Sequence, residues 1–199
     1  MAKSNYVVTL HVQLEAIEPP IWRKIAVDGD ITLRTLHHII QAAFGWTDAH
    51  LHEFIVGERT YSMLDNENVL DMFDDPDEEL FDDRKVKLLR IAYTGLRFEY
   101  HYDFGDSWRH LIAVEKMEER DEKMGSAWVI DGARAVPPED VGGTQGYEQF
   151  LETLRNAPGS QDARELLDWV GGPFDPEAFD RRMANAALLR MAWNGWGKK

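Results

Sequence analysis

Imidazoles and carboxylates gather in three short stretches of this sequence, and these are the side chains suited to moving a proton or holding a divalent cation. The first runs His50-Leu51-His52-Glu53-Phe54, and the second runs from Tyr102-Asp103-Phe104-Gly105-Asp106 through Ser107-Trp108-Arg109-His110. The third is Pro137-Pro138-Glu139-Asp140-Val141-Gly142-Gly143. On a strand, His50 and His52 share one face while Leu51 and Glu53 take the other, because successive side chains alternate. Two imidazoles on one face begin a metal site; the plainer reading pairs them with acids or caps the preceding loop. Asp103 and Asp106 bracket Phe104-Gly105, a tight turn in which both carboxylates can accept backbone N–H bonds. The alternative is convergence: Asp103, Asp106 and His110 as catalytic candidates, with His50, His52, Asp103 and Asp106 as ligands of a divalent metal. Glu139 and Asp140 are candidates for binding a cation or a peptide amine, set against a role in capping a bend rich in Pro and Gly. Trp108 is a further binding candidate, although it and the other six tryptophans are also ordinary core or interface anchors.

Other chemistries lack their residues. The chain has no cysteine, which removes thiolate nucleophiles, disulfides and zinc–thiolate clusters and leaves His and carboxylate for any metal. The Asp-Phe-Gly of the second stretch has no accompanying Gly-rich phosphate loop or catalytic-loop motif of the kinase kind. Of the serines, only Ser107 lies in a motif, beside Arg109 but between acids, which is a poor setting for a recombinase nucleophile.

The elements that must position these groups read as strands first and helices later. Residues Tyr6 to Ile17 alternate, with Val8, Leu10, Val12 and Leu14 on one side, and Ile21 to Val27 form a second strand after Pro19-Pro20. Thr32 is suited to cap a helix whose apolar positions Leu33, Leu36, Ile39, Ile40, Ala43 and Phe44 follow helical spacing, with Gly45 as its stop. His50 to Val56 and Arg59 to Met63 read as a hairpin around Gly57. Lys85 to Tyr93 fits either a strand or a short helix. Leu96 to Asp103 and Trp108 to Met117 are strands flanking the Phe-Gly turn. Beyond them the polar run from Glu118 to Ser126 reads as a hairpin connection to an extended Ala127 to Val136. Helices are expected over Tyr147 to Asn156, Asp162 to Val170 and Pro176 to about Trp193, making the C-terminal part, 146–193, helical. The expectation is one α+β domain over residues 1–199, with a mixed or antiparallel sheet and a ββα start compatible with a β-grasp-like arrangement.

Of the net charge of −14, ten negative charges fall between Asp65 and Asp83, a segment without Lys or Arg that reads as an acidic surface loop. Its Leu70, Met72, Phe73, Leu80 and Phe81 are suited to anchor it. The rest of the chain has no basic stripe, which argues against direct binding of duplex DNA. No apolar run is long enough to span a membrane and the N-terminus shows no signal-peptide pattern, so the expected location is the cytoplasm.

Four ordered stretches, Leu33 to Phe54, Tyr102 to His110, Pro137 to Glu152 and Gly171 to Asp180, together resemble the Ri-plasmid (pRiA4b) ORF-3-like family. The resemblance runs from about Tyr6 to about Arg190. It implies kinship with proteins associated with plasmids and mobile elements, some described as resolvase-like. It also implies that relatives carry cysteines flanking the PPED motif, where this chain has Ala135 and Val141. Three functions follow as expectations. The leading one is a protein-binding module that presents the acidic loop and exposed aromatics to a partner. The alternative is a metal-dependent hydrolase or related enzyme using His50, His52, Asp103, Asp106 and His110. A site-specific recombinase ranks last.

Overall fold

The structure is a computed structural model, and it describes residues 5–64, 79–120 and 127–195. Eight strands form one sheet: β1 (Asn5–Leu14), β2 (Trp22–Asp28), β3 (His52–Val56), β4 (Arg59–Ser62), β5 (Glu79–Asp82), β6 (Arg97–Tyr102), β7 (Trp108–Arg120) and β8 (Trp128–Ala133). Their spatial order is β5-β4-β3-β6-β7-β1-β2-β8, antiparallel throughout except for the parallel pair β4–β5. The helices are α1 (Leu33–Phe44), α2 (Gly143–Asn156), α3 (Gln161–Trp169) and α4 (Arg181–Trp193). This is an α+β fold with the expected ββα start and helical C-terminal part.

The alternation of β1 buries Val8, Leu10, Val12 and Leu14 on the face covered by α1. α1 begins where the Thr32 hydroxyl accepts from the Thr35 N–H at 3.1 Å and ends where Gly45 takes a left-handed φ of 93°. Its stripe of Leu33, Leu36, Ile39, Ile40 and Phe44 enters the common core. Arg23 of β2, also buried, has no carboxylate partner among the described residues. It donates instead to the carbonyl oxygens of Ala43, Trp22, Ala133 and Arg134 at 2.8–3.2 Å, with its guanidinium between Phe44 and Phe179. One side chain thus ties the end of α1 to the β2–β8 edge, at a desolvation cost that lowers its pKa to about 10.

Several expectations need correction. The run from Glu118 to Ser126 does not connect a hairpin, because β8 pairs with β2 on the far side of β1. There α4 shields the edge: Asn185 accepts from the Val129 N–H at 2.9 Å and donates to the Val129 carbonyl at 3.0 Å. Of the two alternatives for Lys85 to Tyr93, the short helix is the one present, a 3-10 turn over Leu88–Arg90, with Lys87 in an isolated bridge to Thr32. The last helix starts at Arg181, not Pro176, because the Asp180 carboxylate caps it by accepting from the N–H groups of Arg182 and Met183. Most of the acidic segment, 65–78, lies outside the described residues. Its end is not a loop: Glu79–Asp82 is β5, Phe81 stacks on Tyr61, and Asp82 and Asp83 are buried. No helix among the described residues is long and apolar enough to cross a membrane.

Candidate functional site

His50 lies in the connection from α1 to β3, not on the strand, so the alternation that would put it on one face with His52 does not apply. That connection is held at nearly every residue. Trp46 Nε1 donates to the Pro137 carbonyl at 3.0 Å, the Thr47 N–H and hydroxyl donate to Glu139, and the Ala49 N–H donates to the Tyr102 hydroxyl. Asp48, with a left-handed φ of 59°, closes a ring of hydrogen bonds. Its N–H donates to Gln41, Gln41 donates to the Tyr100 hydroxyl, Tyr100 meets His37 Nδ1 at 2.8 Å, and His37 Nε2 meets the Asp48 carboxylate at 2.6 Å. Burial pushes the Tyr100 phenol well up and pulls the His37 imidazole down to about 3, so Tyr100 donates to Nδ1 and the neutral ring donates to Asp48. Burial alone would raise the Asp48 carboxyl, but hydrogen bonds from His37 and His38 more than offset this and hold it ionised.

Asp103 immediately follows β6 in a left-handed turn, φ 56°. Its Oδ1 accepts from the N–H groups of Gly105 and Asp106 at 3.0 and 3.3 Å, while its Oδ2 faces His50 Nε2 at 3.6 Å. One carboxylate therefore caps the turn and also addresses the imidazole. The bend after β8 brings in the other two acids, so His50 Nε2 lies 3.0 Å from Asp140 Oδ1 and 3.9 Å from Glu139 Oε2. Glu139 is aimed by Thr47 and by the Tyr102 hydroxyl, which donates to it at 3.1 Å. Burial and the adjacent Glu139 both push the Tyr102 pKa upward, so it remains a phenol.

The donor atoms of His50, Asp103 and Asp140 all lie within 4.8 Å of one another. Ligands about 2.1 Å from a common ion stand roughly 3 to 4 Å apart, so this set fits a divalent cation after small side-chain adjustments. His50 Nε2 is shielded from solvent, yet it makes no hydrogen bond in suitable geometry with any of the three surrounding carboxylates. None of the four groups has a Lys or Arg ion-pair partner among the described residues.

The remaining expected site residues are elsewhere. His52 is buried in a flat stack with His37, ring centroids 3.5 Å apart and planes within 6°, and its Nε2 meets Asp83 at 2.9 Å. His110 is fully buried, donating Nδ1 toward the Tyr100 carbonyl at 3.2 Å, and burial lowers its pKa to about 3. Trp108 is fully buried and offers no binding surface. The Asp106 carboxylate accepts from the Gly142 N–H at 3.0 Å, which makes it a brace between two loops and leaves it outside the ligand set.

The sequence reading missed His37, Asp48 and Tyr102. His37 carried a signal, because it occupies a position on the buried stripe of α1 where an imidazole needs polar partners. His37, His38 and Asp48 form a second cluster of three candidate ligands, but hydrogen bonds already occupy both nitrogens of His37.

Comparison with known proteins is consistent with this architecture. The sequence profile described as plasmid pRiA4b ORF-3-like protein matches residues 6–183. The chain is 36% identical over 196 residues to the uncharacterised protein y4hQ of Sinorhizobium fredii, covering 97% of this chain and 95% of the relative. A crystal structure of a protein of unknown function from Methanosarcina mazei Go1 superposes with a TM-score of 0.76 at 32% identity, covering 91% of this chain and 97% of the other.

Proposed function

We propose that this protein, which belongs to the plasmid pRiA4b ORF-3-like family, binds a divalent cation through His50, Asp103 and Asp140, with Glu139 beside them, and uses it in metal-dependent hydrolysis. The observation that carries the reading is His50 Nε2: a shielded imidazole nitrogen within 3.9 Å of three carboxylates and hydrogen-bonded to none. One imidazole with carboxylate oxygens suits manganese or zinc better than a soft metal. Asp140, with its side chain 69% exposed, leaves one side of the site open to water. A bound cation would supply Lewis acidity and lower the pKa of coordinated water. The chain's own groups do the positioning: Tyr102 and Thr47 orient Glu139, and the turn N–H groups fix Asp103. Substitution with cobalt tests this. The native protein should develop visible ligand-field bands at one equivalent, and H50A should lose or shift them. A spectrum identical in the two proteins would remove the proposal.

A second reading, a protein-binding module, draws on Leu189 and Trp193, four residues apart on α4 and exposed to 55% and 91%. It predicts that an L189S/W193S double variant changes the association state seen by sedimentation while leaving cation binding intact. An unchanged association state counts against it.

A further inference from the structure

A cleft of about 400 Å³ adjoins the proposed cation site and shares Glu139 and Asp140 with it. Its other walls include Trp46, Pro137, Trp169 and Phe174, and among the described residues no Lys or Arg lines it. The Trp46 ring is fixed by its bond to the Pro137 carbonyl and by stacking on Tyr102 at 5.1 Å, so this wall is rigid and apolar. Trp169 stands at the cleft half-exposed, its ring meeting Phe150 edge-on at 6.5 Å. A cleft of this size, with aromatic rings along its walls and two carboxylates at the end beside the cation site, suits a small organic group.

We infer that this cleft receives the aromatic or branched apolar side group of an uncharged carbonyl substrate, an amide or an ester, whose carbonyl then faces the cation. The inference rests on the cation reading for its chemistry but not for its binding surface. A metal ion can polarise either a carbonyl or a phosphoryl oxygen. Phosphoryl sites clamp the extra negative charge with Arg or Lys, and among the described residues this cleft offers two carboxylates and no cationic side chain. An anionic substrate is repelled by these two carboxylates, whereas an uncharged aromatic amide is not and can place its ring against Trp46, Trp169 and Phe174. Hydrolysis adds the water oxygen to the carbonyl carbon and breaks the C–N or C–O bond. One water proton leaves with the amine or alcohol and the other stays with the carboxylic acid product, so no oxidant or further reactant is needed.

The test uses cation-free protein, so that the cleft is examined apart from the metal. Benzamide, benzoate and phenyl phosphate are titrated while the indole N–H signals of Trp46 and Trp169 are followed by NMR. Benzamide should shift the Trp169 signal and bind about tenfold more tightly than either anion, a margin expected from like-charge repulsion near the surface. W169A should weaken benzamide binding at least about fivefold, as loss of an aromatic contact implies, and W128A, at a half-exposed tryptophan of β8, should not. Equal affinity for phenyl phosphate, indifference to W169A, or unmoved indole signals at millimolar benzamide would each overturn the inference. A manganese titration of the same sample reports separately on the cation site.

Discussion

Asp106 joins two loops that are far apart in sequence: its carboxylate accepts from the Gly142 N–H at 3.0 Å. Its backbone carbonyl oxygen lies 2.6 Å from where a Cβ on Gly143 would stand. The turn that carries Asp103 and the bend that carries Glu139 and Asp140 are thereby locked together, with no room between them for a side chain. Gly143 also has a left-handed φ of 68°, which strains any residue with a Cβ. G143A should therefore destabilise the protein by about 2 to 4 kcal/mol and weaken cation binding at least about tenfold. G159A, where a Cβ meets open space, should do neither. Urea unfolding and a cation titration measure both effects, and a G143A variant indistinguishable from wild type would show that the loops are not coupled in this way.

Asp83 ends a segment that looks like a solvated acidic loop, yet it is fully buried between Arg34, at 2.8 Å, and His52, at 2.9 Å. Burial alone would raise its carboxyl; hydrogen bonds from His52 and Arg34 more than offset this and lower it to about 2. With the folded value below the unfolded one, its contribution is present above about pH 4 and is lost as the pH falls toward 2. D83N, which leaves Arg34 buried without its counter-charge, should cost about 3 to 5 kcal/mol in urea unfolding at pH 7. A loss below about 1 kcal/mol would mean that the ion pair is not formed in solution.

His101 of β6 sits between Glu53 and Glu99, at 2.8 and 2.9 Å. Burial lowers its pKa, but the hydrogen bonds to the two glutamates outweigh burial and the net shift is upward. The resulting stability is fully present below the unfolded histidine pKa of about 6.5 and is lost as the pH rises through the folded value. The stability difference between wild type and H101Q should accordingly shrink as the pH is raised from 6 to 9. A constant difference would contradict the assignment.

The sign is opposite for His110, which burial holds neutral with a pKa of about 3. Below about pH 6.5 the unfolded chain takes up a proton at this position and the folded chain does not, so stability is lost as the pH falls. H110F removes that uptake. Relative to wild type it should gain roughly 1 to 3 kcal/mol between pH 6.5 and pH 4, read from paired urea curves. Parallel curves at both pH values would show that His110 does not stay neutral in the fold.

Local elements were legible in the sequence because their causes are local. The cap of α1 at Thr32, its stop at Gly45 and the alternation of β1 are written in neighbouring residues, and the structure has them in place. The partner of β8 was not legible, since pairing with β2 depends on contacts such as Asn185 with Val129 that join distant segments. The candidate site divided in the same way. Residue types and motifs pointed to His50, Asp103, Glu139 and Asp140, but the strand alternation that recruited His52 fails because His50 precedes β3. Composition also disguised Asp83: nothing within an acidic run marks the one carboxylate that meets Arg34 in the interior.

Isothermal titration of the untagged protein with manganese or zinc tests the central claim most directly. One cation per chain should bind with micromolar or tighter affinity, H50A and D103N should each weaken it at least about tenfold, and H110F should leave it unchanged. Absence of binding at millimolar cation, or binding that H50A and D103N leave intact, would contradict the account.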